Sequence, residues 1–191
     1  ALALVLEFPE TPCAVIVKHN TPCGMSTDAS LEAAYRSARA ADEVSAFGGI
    51  VALNREGDED TANALAETFL EAVIAPAFSP PARAALEAKK NLRLLEAGPA
   101  LALATARPRR QLDVRSIAGG LLAMDRDAVE PRSTWRTVSK RAPTVEELVA
   151  LKTAWRICKH VKSNAIVFAA AHRLLAVGGG QTSRVDSVRI A

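Results

Sequence analysis

The sequence AVIVK at residues 14–18, with the HNTPCGMSTD that follows at residues 19–28, decides how the chain begins to fold. The first stretch is a continuous run of apolar, mostly β-branched side chains, which predicts a buried strand. The second stretch consists of turn formers and predicts a loop. Asp28 or Ser30 then provides the N-cap of a helix, because the apolar residues that follow keep a helical period of about 3.6. These apolar residues are Leu31, Ala34, Tyr35 and Ala38.

Strands and helices continue to alternate along the rest of the chain. Further strands are predicted over residues 50–53, 73–76, 92–95, 115–123, 134–139, 164–169 and 174–177. Helices are predicted over residues 60–72, 80–90 and 144–161 and after the glycine run 178–180, with residues 104–113 as a surface connection. Thr144 and Glu147 have the spacing of a capping box. The alternation predicts an α/β fold in which helices flank a layered sheet.

Composition narrows the class of protein. A chain of 191 residues can form one sizeable core or two small subdomains. The net charge is only +3, and no basic stripe is interleaved with aromatic residues, which argues against a nucleic-acid partner. Residues 1–10 are apolar but too short to span a bilayer, so no membrane association is expected. The absence of an initiator Met and of a C-cap after residues 183–191 predicts that both ends continue in a longer protein.

Cysteine and histidine patterns argue against a metal site. Cys13, Cys23 and Cys158 form neither a disulfide framework nor a CxxC pair, and a reducing compartment, the cytoplasm, is expected. The three histidines are far apart in sequence. A zinc deaminase needs an HxE motif and PCxxC, whereas Pro22 and Cys23 precede Gly-Met-Ser. A serine hydrolase would need a GxSxG motif, which is missing.

Three polar clusters lie next to predicted strands. Lys18, His19 and Asn20 lie at the end of the first strand, where an imidazole can take a proton near neutral pH and an ammonium can stabilise developing negative charge. Residues 162–164, KSN, precede another strand, and residues 178–184, GGGQTSR, lie between a strand and a helix. Glycines there permit close approach of the backbone to an anion. Taken singly, each cluster is equally typical of a turn at the surface.

The order of the motifs resembles that of one enzyme family. VKHNTPCG, VSAFGGIVALNR, VIAPAF, KKNLRLL, KHVKSNAIV and GGGQTSRVDSVRIA follow one another over residues 14–191. They are similar to the successive signature blocks of AICAR transformylase, a region that normally follows an IMP cyclohydrolase domain. The resemblance implies transfer of a formyl group from 10-formyltetrahydrofolate, a co-substrate, to the 5-amino group of AICAR ribonucleotide. It also implies a homodimer, subdomains with a cytidine-deaminase-like fold and no metal.

The resemblance also assigns roles to residues. The family's catalytic Lys-His pair matches Lys18 and His19, and its catalytic asparagine matches Asn164. His19 would act as the base toward the amine, Lys18 would stabilise or protonate the folate side, and Asn164 would orient the reacting groups. Substrate contacts are implied for Asn20, Phe47, Glu71, Gly180, Gln181 and Arg184.

Parts of the family pattern are absent from these residues. The arginine-tyrosine block expected before residue 14, the Phe-rich block expected after residue 191 and the cyclohydrolase domain are all missing. The chain is therefore predicted to be a partial transformylase region, with a first subdomain over about residues 1–125 and the start of a second over about 130–191. Two alternatives remain: a folded fragment that cannot catalyse, and a divergent zinc enzyme of the deaminase type.

Overall fold

A mixed five-stranded sheet forms the centre of the molecule. The computed structural model describes residues 1–98, 112–125, 127 and 135–191. The strands are β1 (Cys13–Lys18), β2 (Thr21–Thr27), β3 (Gly49–Leu53), β4 (Leu70–Ala75) and β5 (Arg93–Glu96). Their order across the sheet is β2-β1-β3-β4-β5. β1 runs antiparallel to both β2 and β3, whereas β3, β4 and β5 run parallel.

One face of the sheet is covered by the helices of the first half of the chain. These helices are α2 (Leu31–Arg39), α4 (Glu59–Ala66) and α5 (Pro80–Glu87). Two short helices are also present: α1 (Leu2–Val5) at the start of the chain and α3 (Glu43–Ala46) after α2. Ser30 caps α2 by accepting a hydrogen bond from the Ala33 amide at 3.1 Å. The four apolar positions predicted for this helix are all buried. They pack with Ala14 and Ile16 of β1 in one core.

The other face of β1 is covered from both ends of the chain. Val15 and Val17 point to this side, as the two-residue period of a strand requires, and are buried with α1. The same core includes Ile157 from α6 (Val145–Cys158) and Leu174 from β9 (Leu174–Gly178). Helices thus lie on both faces of the sheet, which confirms the α/β prediction. The likeness to the cytidine-deaminase fold and the division into two subdomains stay predictions.

Two hairpins and a last helix complete the described residues. β6 (Leu112–Ile117) and β7 (Gly120–Asp125) pair with each other, and so do β8 (Ile166–Ala169) and β9 (Leu174–Gly178). α7 (Arg184–Ile190) follows β9. The second hairpin is joined to the central sheet by an antiparallel bridge between Ser26 and Arg173. No helix in the described ranges is long and apolar enough to cross a membrane.

The loop predicted over residues 19–28 is wrong, because most of it forms β2. Five of the seven residues of this strand are buried. Pro22 is tolerated because β2 lies at the edge of the five-stranded sheet, where a missing N–H is least costly. Gly24 is required by packing, since a Cβ there would lie 2.3 Å from the Ala38 carbonyl oxygen of α2. Only His19 and Asn20 remain as a turn.

The helix predicted over residues 60–72 is also wrong in its second half. α4 ends at Ala66, and Leu70–Ala75 forms β4, parallel to β3 and β5. Helical periodicity continues past the end of α4 in sequence, but pairing with two neighbouring strands overrides that local signal. The other predicted elements before residue 98 and after residue 144 agree with the structure to within a few residues.

Predictions for the middle of the chain have mixed outcomes. The strand predicted over residues 115–123 is the hairpin of β6 and β7, with a turn in which Gly119 has φ 80°. Residues 135–138 have no regular structure, so the strand predicted over 134–139 is wrong there. Trp135 instead packs against Trp155 of α6, with ring centroids 5.5 Å apart, and residues 135–138 pair with no strand in the described part of the chain. Most of the predicted connection, residues 104–111, lies outside the described residues.

The capping box predicted for α6 is present and gives a stability test. The Thr144 hydroxyl accepts a hydrogen bond from the Glu147 amide at 3.1 Å, and the Glu147 carboxylate accepts one from the Thr144 amide at 2.8 Å. Thr144→Ala should therefore lower the free energy of unfolding by about 1 kcal/mol. Urea unfolding of this chain measures the change, with Thr144→Ser as a control that keeps the cap. Equal stability of all three proteins would refute the role of this cap.

Candidate active site

His19 and Asn20 form the tight turn between β1 and β2. Lys18 pairs with Thr21 across this two-residue connection. His19 has φ 50° and Asn20 has φ 65°, and positive φ at both central residues is the geometry of a type I′ hairpin turn. Asparagine adopts this left-handed region readily, whereas histidine does so less often. The turn holds the imidazole at an exposed tip, next to the lysine that ends β1.

The ammonium of Lys18 is fixed by the backbone of a neighbouring loop. Its Nζ donates hydrogen bonds to the carbonyl oxygens of Phe47 at 2.7 Å and Gly48 at 3.0 Å. Gly48 has φ 67°, and a Cβ there would lie 2.8 Å from Lys18 Nζ. A glycine is therefore needed at this position for the lysine to reach both acceptors. Two of the three ammonium donors are used, which leaves one for a ligand.

An exposed aromatic pair lies beside Lys18. Phe47 is 61% exposed, and its ring lies 5.3 Å from the ring of Phe69, which is 43% exposed. Large apolar side chains this exposed, next to a fixed cation, offer a surface for a flat heterocycle. Phe47 was predicted as a substrate contact, and the structure places its backbone directly on Lys18.

Glu71 lies at the same end of the sheet's strands as Lys18. It is the second residue of β4, close to the start of the parallel strand β3. Its carboxylate accepts a hydrogen bond from Arg93 at 2.9 Å. At this end of the strands, the carboxyl end of β1 therefore lies beside the amino ends of β3 and β4. This differs from the usual ligand position outside the carboxyl ends of parallel strands, because β1 runs antiparallel to β3.

Asn164 is bound to the loop after β9. Its Nδ2 donates to the carbonyl oxygens of Gln181 and Thr182, both at 3.0 Å. Its backbone N–H also donates to the Gln181 carbonyl oxygen, at 3.1 Å. The carbonyl oxygen of Asn164 accepts a hydrogen bond from Ser187 at 2.9 Å. The side-chain amide nitrogen is thus committed to the protein. Its Oδ1 has no hydrogen-bond partner among the described residues.

The glycine run brings α7 close to β9. A Cβ on Gly178 would lie 1.9 Å from the Ser187 carbonyl oxygen, so only glycine allows this packing. Gly180 has φ 73°, and its amide donates to Lys162 at 2.7 Å. Arg184 is exposed at the first position of α7. The predicted residues Asn164, Gly180, Gln181 and Arg184 therefore form one local cluster, which we call the Asn164 cluster.

Strand register directs the Asn164 cluster toward the His19 turn. The bridge between Ser26 and Arg173 is antiparallel, and β2 and β9 are in contact beyond it. From this bridge, β9 runs toward Gly178 while β2 runs back toward Thr21, so both clusters lie toward the same end of these strands. No hydrogen bond joins the two clusters within the part of the chain that the structure describes.

A groove elsewhere on the molecule contains none of the predicted site residues. It has a volume of about 740 Å³ and lies between residues 135–143, α6 and β8, with Trp135 and Phe168 in its lining. Its lining is mostly apolar and also includes the ion pair of Arg141 and Glu147, in which Arg141 Nη1 lies 2.8 Å from Glu147 Oε2. Among residues 1–98, 112–125, 127 and 135–191, no group of three or more His, Cys, Asp or Glu side chains could hold a metal ion. The expectation of no metal stays a prediction.

Sequence reasoning missed two residues of the site. Gly48 lies in the motif VSAFGGIVALNR, and two consecutive glycines after an aromatic residue are a turn signal that could have indicated its role. Phe69 falls inside the helix predicted over residues 60–72, so no sequence pattern indicates that it belongs to the site. Its carbonyl oxygen accepts a hydrogen bond from the Gly48 amide at 2.8 Å.

Comparison with known proteins identifies the family. The family described as AICARFT/IMPCHase bienzyme matches residues 1–191, the whole chain. The chain belongs to this family. A relative from Myxococcus xanthus is 71% identical over 191 residues, which are 100% of this chain and 37% of that protein. Relatives from Anaeromyxobacter sp. (strain K) and Sorangium cellulosum are 57% and 55% identical, again over 100% of this chain and over 37% and 36% of their own lengths.

The relatives share one name and are much longer. All three are named bifunctional purine biosynthesis protein PurH. The chain spans little more than a third of the length of these curated relatives, at 37%, 37% and 36%. The membership confirms the resemblance seen in the sequence. The roles of individual residues stay predictions.

Proposed function

We propose that the chain is part of a bifunctional purine biosynthesis protein and carries catalytic groups for formyl transfer. The substrates would be 10-formyltetrahydrofolate and AICAR ribonucleotide. The observation that carries the proposal is the fixed Lys18 ammonium beside the exposed His19 imidazole, on a chain of the AICARFT/IMPCHase bienzyme family. An acid and a base on adjacent residues suit a reaction in which one nitrogen loses a proton and another gains one.

His19 is the proposed base. The 5-amino group of AICAR ribonucleotide is a weak nucleophile, because its lone pair is delocalised into the imidazole ring and the carboxamide. As the amine nitrogen forms its bond to the formyl carbon, His19 takes the amine proton. The turn presents the imidazole at an exposed tip, which gives a bound nucleotide access to it. The histidine's left-handed backbone is the kind of strained conformation that is often found at functional sites.

Lys18 is proposed to act on the folate side. During transfer, the bond between the formyl carbon and the folate nitrogen breaks, and negative charge develops on the formyl oxygen and on that nitrogen. Lys18 has one ammonium donor left after its two backbone hydrogen bonds and can direct it at this charge. Because the carbonyls of Phe47 and Gly48 already hold the ammonium in place, little reorganisation is needed at the moment of reaction.

Asn164 and its neighbours are proposed to orient the nucleotide. The Asn164 Oδ1 is the free acceptor that can hold the amine, since the Nδ2 is bound to Gln181 and Thr182. Arg184 has an exposed guanidinium that can bind a phosphate in a bidentate manner. The register of β2 and β9 supports this assignment because it brings both clusters toward one end of the strands.

The remaining predicted contacts are proposed for the rest of the two substrates. Phe47 offers an exposed ring for stacking, and Asn20 extends the turn that carries His19. Glu71 would contact the folate from the same sheet edge, sharing its carboxylate with Arg93. Gly180 and Gln181 would give backbone groups to the nucleotide. A homodimer and the cytoplasm, which suits the three free cysteines, are part of the proposal.

The test is an assay of the full-length protein that carries this chain. Tetrahydrofolate should be released from 10-formyltetrahydrofolate only when AICAR ribonucleotide is present, which absorbance of the folate follows directly. The matched control omits the nucleotide and reports background hydrolysis. A full-length protein that is folded, binds the nucleotide and releases no tetrahydrofolate above background would contradict the proposal.

A second candidate is that these residues alone fold without catalysing. It is favoured by the chain's span, which is 37% of the Myxococcus xanthus relative. The same assay on residues 1–191 alone distinguishes the two candidates. No release by these residues, with release by the full-length protein, supports the second candidate for the isolated chain. Release by the isolated residues rejects it.

A further inference from the structure

Phe69 contacts the loop that holds Lys18 in more than one way. It lies between α4 and β4, where its carbonyl oxygen accepts a hydrogen bond from the Gly48 amide at 2.8 Å. Its ring packs on the ring of Phe47 with centroids 5.3 Å apart and planes tilted by 46°. Two of its ring atoms would lie 3.5 and 3.6 Å from a Cβ on Gly48. Phe69 therefore restrains both residues whose carbonyls bind the lysine.

The loop needs this restraint because of its geometry. Phe47 has φ −60° and ψ 122°, and Gly48 has φ 67°; these are dihedrals of a type II turn. In an extended chain, consecutive carbonyls point to opposite sides of the backbone. Here both reach one Nζ, at 2.7 and 3.0 Å. If the turn opens, one of the two acceptors leaves the lysine.

The exposure of Phe69 argues against a purely structural role. It is 43% exposed, so its ring is not part of either buried core. An aromatic side chain held at the surface contributes little to folding compared with a fully buried one. Its contacts instead converge on the loop beside Lys18.

We propose that Phe69 is a positioning residue for Lys18, acting through the Phe47–Gly48 turn; this rests on the function proposed above. Lysine has a flexible stem, and its ammonium is located only by the groups that bind it. Phe69 fixes the turn, the turn fixes two carbonyl oxygens, and these fix the ammonium against the substrate. Loss of the ring should therefore impair the chemical step more than substrate binding.

The experiment compares Phe69→Ala and Phe69→Tyr in the full-length protein. Phe69→Tyr keeps the ring and should behave as the wild type. Phe69→Ala should lower kcat by about tenfold to a hundredfold, as expected for misplacement of a catalytic group, and change KM by less than about threefold. Val44→Ala is the matched control, since Val44 is 88% exposed on the neighbouring helix α3.

A second measurement does not depend on formyl transfer. Reductive methylation of lysines, followed by mass spectrometry, reports how freely each amine reacts. Lys18 should react slowly in the wild type relative to the exposed Lys89, and about tenfold faster in Phe69→Ala, because a hydrogen bond to its charged group is lost. Unchanged Lys18 labelling in folded Phe69→Ala overturns the proposal whatever happens to kcat. If the wild-type protein itself transfers no formyl group, faster Lys18 labelling in Phe69→Ala still supports the positioning of Lys18 and contradicts the proposed function alone.

Discussion

Replacing His19 by asparagine in the full-length protein should lower the rate of formyl transfer by about a thousandfold, within the usual range for loss of a general base. Asparagine is the sharper substitution here, because residue 19 has φ 50° and asparagine tolerates that conformation better than alanine does. The turn between β1 and β2 is then kept while the imidazole is removed. The measurement is kcat in the assay of tetrahydrofolate release.

The companion change is Lys18→Met, which keeps the length of the side chain and removes its charge. It should lower kcat by about a hundredfold or more, since the oxygen and nitrogen that gain charge lose their cation. His172→Asn is the matched control because His172 is exposed and, among the described residues, its hydrogen bonds are made by its backbone carbonyl. Turnover within a few-fold of wild type in either folded variant would remove that residue from the mechanism.

A pH-dependent loss of stability is expected from Glu7. This residue follows α1 and lies 2.7 Å from Lys159 Nζ and 3.4 Å from His160 Nε2, at the end of α6. The three side chains are only 11%, 16% and 19% exposed. Burial alone would raise the pKa of the Glu7 carboxyl, but hydrogen bonds and charge from His160 and Lys159 outweigh it and lower the pKa to about 2. The interaction joins the start of the chain to its second half.

The direction of the effect follows from that pKa. The Glu7 pKa is lower in the folded chain than its ordinary value of 4.5, so the ionised form stabilises the fold. This contribution is complete above pH 4.5 and is lost as the pH falls toward 2. At about 1.4 kcal/mol for each pKa unit, a fall from 4.5 to about 2 corresponds to about 3–4 kcal/mol. Solvent screening of the partly exposed group reduces this to about 2–3 kcal/mol. Glu7→Gln should cost about this much at pH 7 and progressively less below pH 4.5.

Urea unfolding of wild type and Glu7→Gln at several pH values measures the effect. Glu10→Gln is the matched control, because Glu10 is 67% exposed and lies 3.8 Å from Arg156; such a surface pair contributes about 0–1 kcal/mol. A difference between wild type and Glu7→Gln that does not change between pH 7 and pH 3 would contradict the assignment of the low pKa to Glu7.

Local signals were sufficient to predict much of the fold. The apolar run of β1 and the Ser30 cap of α2 each depend on neighbours in sequence, and both are confirmed. β2 was missed because its small residues, Pro22 and Gly24 are typical of turns. It is a strand because β1 lies beside it and α2 packs on it, and neither partner can be read from residues 19–28.

The site was predictable only in part. The Asn164 cluster follows from the pairing of two predicted strands, since antiparallel β8 and β9 bring Asn164 next to the loop that carries Gln181. The contact between Lys18 and Phe47 joins residues 29 positions apart and has no periodic signal. Phe69 could not be assigned to the site, because the predicted helix ran past the true end of α4 and included residue 69. Contacts of this kind depend on tertiary packing, which a single sequence does not reveal.

The most direct test of the central claim follows the formyl group itself. Full-length protein is incubated with 10-formyltetrahydrofolate labelled with a heavy isotope in the formyl carbon, together with AICAR ribonucleotide, and the nucleotide product is analysed by mass spectrometry. Labelled nucleotide is expected from the wild type and from His172→Asn, and almost none from His19→Asn or Lys18→Met. Equal labelling in all four proteins would contradict the claim that Lys18 and His19 carry out the transfer.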